Sequence, residues 1–272
     1  MEIFKIRWLY ASCYEIILAN GKAITFDPYV SPLNFPNFGV DDMKTPDYLF
    51  CTHTHFDHIM DIGTLMNRNL DAILFIGILG AVPLADYYDL HLGQVNAIRA
   101  FQTVVYDDVK VTAYPGKHTR FKAREIEIMS TMAKAPAGLH GAKGMEHLMS
   151  VGSVEYTDFL ITLPGNFRIL FAGGDKNYIA QHEAAAKEAP NLVIRQTANI
   201  GSPEEYAELA AKYGAQYILP HHHENTGRKL GIAMDEFTDR VNQKLEQIAP
   251  GMRFINPEQF KWYGFSSTLT RL

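Results

Sequence analysis

A buried strand that leads directly into a cluster of metal-binding side chains constrains this 272-residue chain more than any other feature. The continuous apolar segment Tyr48–Cys51 predicts a strand that is covered on both faces. Four imidazole or carboxylate side chains follow it within six residues: His53, His55, Asp57 and His58. Imidazole and carboxylate groups are common ligands of divalent metal ions. The pattern therefore predicts a metal site at the end of this strand.

Side-chain directions divide this cluster into two pairs. His53 and His55 project to one side of an extended backbone, because successive side chains alternate. Asp57 and His58 follow as the chain turns toward a predicted helix at Asp61–Met66, so they can face a second ion. A hydroxide can bridge two ions that lie about 3.5–4 Å apart, and such a pair of ions can stabilise a hydrolytic transition state. A solvated polar loop is the alternative, but chance seldom places these ligands in this order after a buried strand.

Turn signals and hydrophobic spacing predict a chain of mixed α and β structure. The pair Asn20-Gly21 predicts a hairpin turn, and Ser202 followed by Pro203 predicts the start of a helix that ends at Gly214. Early strands and a later alternation of strands and helices predict one domain, 1–272, with sheets covered by helices. The predicted strands are Ile3–Tyr10, Cys13–Ala19, Lys22–Phe26, Tyr48–Cys51, Ala72–Ile76, Phe101–Tyr106, Val109–Tyr114, Val154–Leu163, Phe167–Ala172, Leu192–Ile194, Gln216–Leu219 and Arg253–Ile255. Further helices are predicted at Tyr178–Ala189 and Asp235–Ile248.

The segment Thr119–Gly152 is the least regular part of the sequence and is rich in glycine, histidine and methionine. Long loops without regular structure often carry function, so 119–152 is a candidate lid or insertion over a nearby site. The alternative is a surface excursion whose methionines fill gaps in the core.

Composition excludes several classes of protein. The 25 basic residues against 30 acidic ones give a net charge of −5, and without a basic run this disfavours a nucleic-acid partner. Two cysteines, Cys13 and Cys51, predict buried free thiols rather than a disulfide framework. No apolar run reaches the roughly 18 residues of a membrane span, and the N-terminus lacks the order of a signal peptide. We therefore expect a cytoplasmic protein that acts away from membranes.

The spacing His53-x-His55-x-Asp57-His58 resembles the signature of the metallo-β-lactamase superfamily. The remaining motif residues follow in that family's order: His118 after a strand, Asp175 after Gly173-Gly174, and a final histidine in Pro220-x-His222. Within the superfamily, the chain is most similar to the branch that contains L-ascorbate-6-phosphate lactonase, through Asp27-Pro28 and the Pro-x-His motif. The resemblance spans roughly Ile3 to Asn225.

This resemblance implies an α/β fold: a four-layer αββα sandwich of two mixed β-sheets flanked by helices. It also implies two divalent metal ions, with Zn²⁺ favoured and Mn²⁺ or Fe²⁺ as alternatives, since mixed His/Asp sites accept all three. One ion is held by His53, His55 and His118, the second by Asp57, His58 and His222, and both by the bridging Asp175. Asp57 and Asp175 carry the catalytic roles. Asp27 is expected to hydrogen-bond a ligating histidine from behind.

Two features depart from the family pattern. Lys176 follows the bridging aspartate where a small hydroxyl residue is usual. The run His221-His222-His223 leaves the last ligand open; the Pro-x-His register selects His222, and alternation points its two neighbours the other way. Elsewhere, His182 is expected to be a solvated residue on the 178–189 helix.

The implied activity is hydrolysis by a metal-bridging hydroxide of a small, anionic ester, lactone or phosphodiester. Four residues beside the ligand loops are candidate substrate contacts: Lys117, Arg120, His223 and Arg228. One alternative is an RNA or nucleotide phosphodiesterase of the ribonuclease Z type, which the acidic balance and the absence of a basic arm disfavour. Another is a metal-binding sensor without catalysis. His55 stands where the di-iron, oxygen-reducing branch has glutamate, which disfavours redox chemistry. Whether the chain forms a homo-oligomer is left open.

Overall fold

The computed structural model describes residues 2–117, 120–132, 141–173, 180–197 and 199–266. The chain divides into two compact units. Unit 1 comprises Met1–Ala97, Phe121–Gly152 and Pro257–Leu272, and unit 2 comprises Ile98–Arg120 and Ser153–Asn256. Each unit is built on one seven-stranded sheet.

Short strands and helices are interspersed along most of the chain. The strands are β1 Glu2–Tyr10, β2 Cys13–Leu18, β3 Ala23–Phe26, β4 Tyr48–Cys51, β5 Ile73–Gly77, β6 Val95–Ile98, β7 Thr103–Val105, β8 Lys110–Pro115, β9 Thr157–Thr162, β10 Arg168–Ala172, β11 Leu192–Gln196, β12 Tyr217–His221, β13 Arg253–Phe254 and β14 Tyr263–Ser266. The α-helices are α1 Phe56–Ile59, α2 Ile62–Met66, α3 Ile78–Tyr88, α4 Ala123–Met132, α5 Gly141–Gly152, α6 Ala180–Lys187, α7 Pro203–Ala211, α8 Thr226–Leu230 and α9 Met234–Ile248.

The sheet of unit 1 has the order β14-β1-β2-β3-β4-β5-β6. Strands β1 to β3 form antiparallel hairpins, and the predicted turn at Asn20-Gly21 is confirmed, with Gly21 at φ +87°. Strands β3, β4 and β5 are parallel, so β4 lies between two parallel neighbours. Phe50 stacks on Phe26 and on Phe75 from these neighbours, with ring centroids 5.1 and 4.8 Å away. The carboxyl end of a fully buried strand therefore carries the histidine motif.

The sheet of unit 2 has the order β13-β12-β11-β10-β9-β8-β7. Strands β7 to β10 pair antiparallel and β10 to β13 pair parallel. Helix α7 begins as predicted, because Ser202 Oγ accepts the N–H of Glu205 at 3.1 Å and Pro203 opens the first turn. Its buried Tyr206 packs against Phe237 of α9 and Phe254 of β13. This aromatic cluster fixes the helices on the sheet.

The described part of 119–152 is more regular than the sequence suggests. It forms α4 and α5, so the expectation of an irregular stretch is wrong for 123–132 and 141–152. In α5 the buried residues Met145, Leu148, Met149 and Gly152 recur at helical spacing, and the three larger ones belong to the core of unit 1. Methionine as a core-filling residue is thereby confirmed at 145 and 149. A lid role for the segment stays a prediction.

Besides α4 and α5, the elements without a counterpart in the predictions are α1, α3, α8, β6 and β14. Helix α3 contains Pro83 in its interior, which normally ends a helix and so hides one in the sequence. The fold class is confirmed: two mixed sheets flanked by helices. Organisation as a single domain stays a prediction. Within the described ranges, no helix has both the length and the apolar character needed to cross a bilayer.

Candidate metal centre

Three histidine rings converge at the carboxyl end of β4. His53 Nε2 lies 2.9 Å from His55 Nδ1, and the ring centroid of His53 is 4.0 Å from that of His58. All three side chains are buried, with exposed fractions of 3% or less. At this distance an N–H of one ring can donate to the nitrogen of the other, and a metal ion bound by both rings would also hold the two nitrogens close together. The donor set therefore fits a divalent metal ion that prefers imidazole.

Asp27 fixes the orientation of the His58 ring through a contact with Nδ1, the ring nitrogen that faces away from Asp57. Its Oδ2 lies 2.8 Å from His58 Nδ1 and accepts the hydroxyl of Thr52 at 2.8 Å, while its Oδ1 accepts the Thr52 N–H at 2.8 Å. A carboxylate only accepts, so His58 Nδ1 carries the proton and His58 Nε2 keeps its lone pair. That Nε2 lies 3.7 Å from Asp57 Oδ1. The predicted contact between Asp27 and a histidine of the motif is confirmed.

The Thr52 hydroxyl extends this control to His53. It lies 3.0 Å from His53 Nδ1 and, because it donates to Asp27, it can accept the Nδ1 proton. His53 Nε2 is then the nitrogen left for a metal, and it is the atom that faces His55. A single buried carboxylate thus sets the tautomers of two ring systems.

Helix α5 holds the backbone of the motif in place. Thr54 Oγ1 donates to the carbonyl of Leu148 at 2.6 Å, and the Phe56 N–H points at Met149 Sδ at 3.2 Å. A Cβ at Gly152 would lie 2.8 Å from the backbone nitrogen of His55, so only glycine allows this approach. On the other side, the buried Cys51 thiol donates to the His53 carbonyl at 3.2 Å, in agreement with its predicted structural role.

The final histidine run begins at His221, the last residue of β12 in unit 2. His221 is fully buried, stacks on Phe171 and donates from Nε2 to the Ala172 carbonyl at 2.9 Å. This bond occupies His221 and favours His222 as the ligand of the run. His222 has φ +51°, and its Nδ1 lies 3.8 Å from Glu224 Oε1. His223 is also buried, and that burial lowers its pKa to about 4.

The other predicted site residues fall into two groups. His118 and Asp175, like Lys176, lie outside the described residues. Lys117, Arg120 and Arg228 are exposed, the last of them on α8. The residues that unit 1 brings together are therefore the four of the first motif.

A buried acid–histidine pair in unit 2 was missed. His182 was expected to be solvated, which is wrong: it is 1% exposed, and its Nε2 lies 3.2 Å from Asp158 Oδ2. A signal was present, because His182 lies three residues before the buried Ala185 on α6 and so shares its inward face.

A family model described as "Beta-lactamase superfamily domain" matches residues 5–222, which include every residue of the first motif and the His221-His222 pair. The chain belongs to the β-lactamase superfamily. Its predicted resemblance to the superfamily is confirmed, whereas the lactonase-like branch stays a prediction.

Relatives of this superfamily member are named as metal-dependent hydrolases. The chain is 31% identical over 121 residues to the UPF0173 metal-dependent hydrolase of Methanobrevibacter smithii. The matched segment covers 42% of this chain and 46% of that relative. The chain thus spans about half the length of the curated relatives it matches.

Two solved structures share the fold across nearly the whole chain. Igni18, a metallo hydrolase from Ignicoccus hospitalis, has a TM-score of 0.66 and 17% identity, covering 97% of this chain and 99% of its own. The isothiocyanate hydrolase from Delia radicum gut bacteria has a TM-score of 0.64 and 13% identity, covering 97% and 100%. At these identities the likeness establishes the fold alone.

Proposed function

We propose that the chain is a hydrolase that holds two divalent metal ions and cleaves a small, anionic ester, lactone or phosphodiester. The observation that carries this proposal is the convergence of His53 Nε2 and His55 Nδ1 at 2.9 Å in a buried loop. Membership of the β-lactamase superfamily and relatives named as metal-dependent hydrolases support it. An imidazole-rich set favours Zn²⁺, with Mn²⁺ and Fe²⁺ as the alternatives.

The proposed ligands come in three groups. His53, His55 and His118 would hold the first ion, Asp57, His58 and His222 would hold the second, and Asp175 would be shared by the two. Contacts within the first motif support four of these assignments. The family pattern supports His118, Asp175 and His222, and the engagement of His221 with Ala172 adds support for His222.

The residues of this chain divide the chemical work between them. A bound divalent ion activates water near neutral pH and stabilises negative charge on a substrate oxygen. Asp27 and Thr52 keep the protons of His58 and His53 on Nδ1, which directs both Nε2 lone pairs away from these partners. Asp57 is 29% exposed at its side chain, so its carboxylate can accept a proton from an attacking water molecule.

An anionic substrate follows from the charge beside the ligand loops. Lys117 and Arg120 flank His118 in sequence, and Arg228 follows His222, and all three cations are exposed. Exposed cations around a site raise the local concentration of anions. His223 is the fourth proposed substrate contact. The Asp27-Pro28 and Pro220-x-His222 motifs resemble the branch that contains L-ascorbate-6-phosphate lactonase, and this resemblance favours a lactone within this class.

Two other functions remain as outcomes of the test. A ribonuclease Z-type phosphodiesterase requires a basic surface, which a net charge of −5 disfavours. A non-catalytic metal sensor would bind metal without hydrolysing any substrate.

Metal analysis joined to an activity panel tests this proposal. The purified chain would be loaded separately with Zn²⁺, Mn²⁺ and Fe²⁺ and assayed on a lactone, a phosphodiester and RNA. We expect two ions per chain. Loss of an outer hydrogen-bond partner of a metal ligand lowers activity by roughly 10–100-fold, and we expect His53→Ala to lower hydrolytic activity by more than that. His91→Ala, which changes an exposed histidine of unit 1, is the matched control. Fewer than one ion per chain, or full activity in His53→Ala, would contradict the proposal.

A further inference from the structure

The two loops that lead to His118 and Asp175 leave the sheet of unit 2 on either side of one strand. Strand β9 pairs antiparallel with both β8 and β10, so these two neighbours run the same way and end beside the start of β9. Strand β8 ends at Pro115, three residues before His118, and β10 ends at Ala172, three residues before Asp175. The second residue of β9 is Asp158, which pairs with Tyr114 of β8.

Asp158 contacts both of these exits. Its side chain is fully buried, and its Oδ1 accepts the N–H of Gly173 at 3.1 Å. On the other side, a Cβ at Gly116 would lie 2.8 Å from the same Oδ1. One carboxylate oxygen is therefore packed against the last described residue before Asp175 and against the second residue before His118.

Tyr156 and His182 complete this arrangement. The Gly116 N–H donates to the Tyr156 carbonyl at 2.8 Å, and a Cβ at Gly173 would overlap the Tyr156 hydroxyl. Behind the carboxylate, His182 Nε2 lies 3.2 Å from Asp158 Oδ2, and the His182 ring lies 6.1 Å from that of the buried Tyr213. A buried carboxylate is costly unless polar groups surround it, so its position is closely specified.

We propose that Asp158, next to His182, is a positioning residue that holds Gly116 and Gly173, from which the chain continues to His118 and to Asp175, at a fixed separation. Its role is to preorganise two metal ligands rather than to touch substrate. The proposal rests on the function proposed above, because it requires His118 and Asp175 to be ligands. Glycine at 116 and 173 belongs to the same arrangement, since any side chain there would displace the loop from Tyr156 and Asp158.

Metal affinity measured on the metal-free protein tests this role without relying on catalysis. Zn²⁺ would be titrated in competition with a chromophoric chelator, and the melting temperature of each metal-free variant would be recorded alongside. We expect Asp158→Ala to weaken Zn²⁺ binding by about 10–100-fold, as loss of outer partners of metal ligands does. Asp158→Asn should recover part of that loss, because its amide oxygen can still accept the Gly173 N–H. Gly173→Ala should also weaken Zn²⁺ binding, although the Asp158 carboxylate is intact in this variant.

Asn242→Ala separates positioning from general destabilisation. Asn242 ties α9 to β13 through two hydrogen bonds with Phe254, at 2.9 and 3.0 Å, and it takes no part in the arrangement around Asp158. We expect this variant to melt earlier yet to bind Zn²⁺ like the wild type. If its affinity falls as far as that of Asp158→Ala, or if Asp158→Ala binds like the wild type, the positioning role is overturned while the proposed function stands. A wild-type chain that binds no Zn²⁺ overturns both.

Discussion

At the scale of single residues, Asp27 decides which nitrogen of His58 faces the proposed metal. The carboxylate accepts at Nδ1, so the proton sits there and the lone pair stays on Nε2. Asp27→Asn keeps the size of the side chain but can present an amide N–H to Nδ1, which favours the opposite tautomer. We expect Zn²⁺ affinity to fall by about 10–100-fold in this variant, as measured by chelator competition.

Asp61→Asn is the matched control for that change. Asp61 is equally buried in unit 1, but its Oδ2 accepts the backbone N–H groups of Val30 and Ser31 instead of a histidine. The control should lose stability while it retains Zn²⁺ affinity. Equal losses of affinity in the two variants would show that any buried carboxylate of this unit matters as much as Asp27.

The sequence indicates candidate site residues most directly where they are contiguous in the chain. The first motif could be found because its four proposed ligands lie within six residues after an apolar strand. The pair Asp158 and His182 was not found, because its members are 24 residues apart and meet only when α6 packs on the sheet. Such contacts depend on helix rotation and sheet order, which local spacing does not specify.

At the scale of elements, the close approach of α5 to the histidine motif makes Gly152 sensitive to substitution. Replacing glycine by alanine in an exposed helix usually adds up to about 1 kcal/mol of stability. Here the new Cβ would lie 2.8 Å from the backbone nitrogen of His55, so we expect Gly152→Ala to lower both the melting temperature and Zn²⁺ affinity. Ser150→Ala, on the exposed side of the same helix, should change neither. A more stable Gly152→Ala would contradict the contact.

The ion pair between α7 and α9 gives the molecule a defined response to acid. Arg240 hydrogen-bonds Glu204 at 2.9 Å and lowers the pKa of that carboxyl from 4.5 to about 2. A carboxyl pKa that is lowered by folding adds stability above its unfolded value, and this contribution fades as pH falls from about 4.5 toward 2. Glu204→Gln should therefore be less stable than the wild type at pH 7 and closer to it near pH 3. Urea unfolding at the two pH values measures this, and an unchanged difference would refute it.

Element types were predicted best where caps and turns are explicit. The α7 start at Ser202 and the Asn20-Gly21 hairpin are examples, because each depends on the local backbone geometry that those residues favour. Helix α3 was missed since Pro83 interrupts its pattern, and α5 was missed since its glycines suggest a loop. In both cases burial against the unit 1 core outweighs the weak local propensity.

At the scale of the whole molecule, the strand order could not be read from the chain. Strand β14 returns from the end of the sequence to pair with β1, and the sheet of unit 1 therefore joins residues more than 250 positions apart. Helix α4 and helix α5 likewise belong to unit 1 although unit 2 residues flank them in sequence. Only long-range packing determines such pairings, so alternation of strands and helices predicted the fold class but not this arrangement.

Metal removal provides the test at this scale. A ligand that binds only the folded state at 100 times its dissociation constant adds about 2.7 kcal/mol of stability. For a chain of this size that corresponds to roughly 5 °C in melting temperature. We expect chelation to lower the melting temperature of the wild type by this amount and Zn²⁺ to restore it. The far-ultraviolet circular dichroism should not change, because the hydrophobic cores of both units contain no proposed ligand. His53→Ala should show a clearly smaller Zn²⁺-dependent rise in melting temperature than the wild type, because it lacks a ligand of the first ion and keeps those of the second. A Zn²⁺-dependent rise in that variant equal to that of the wild type would contradict the assignment of His53 as a metal ligand.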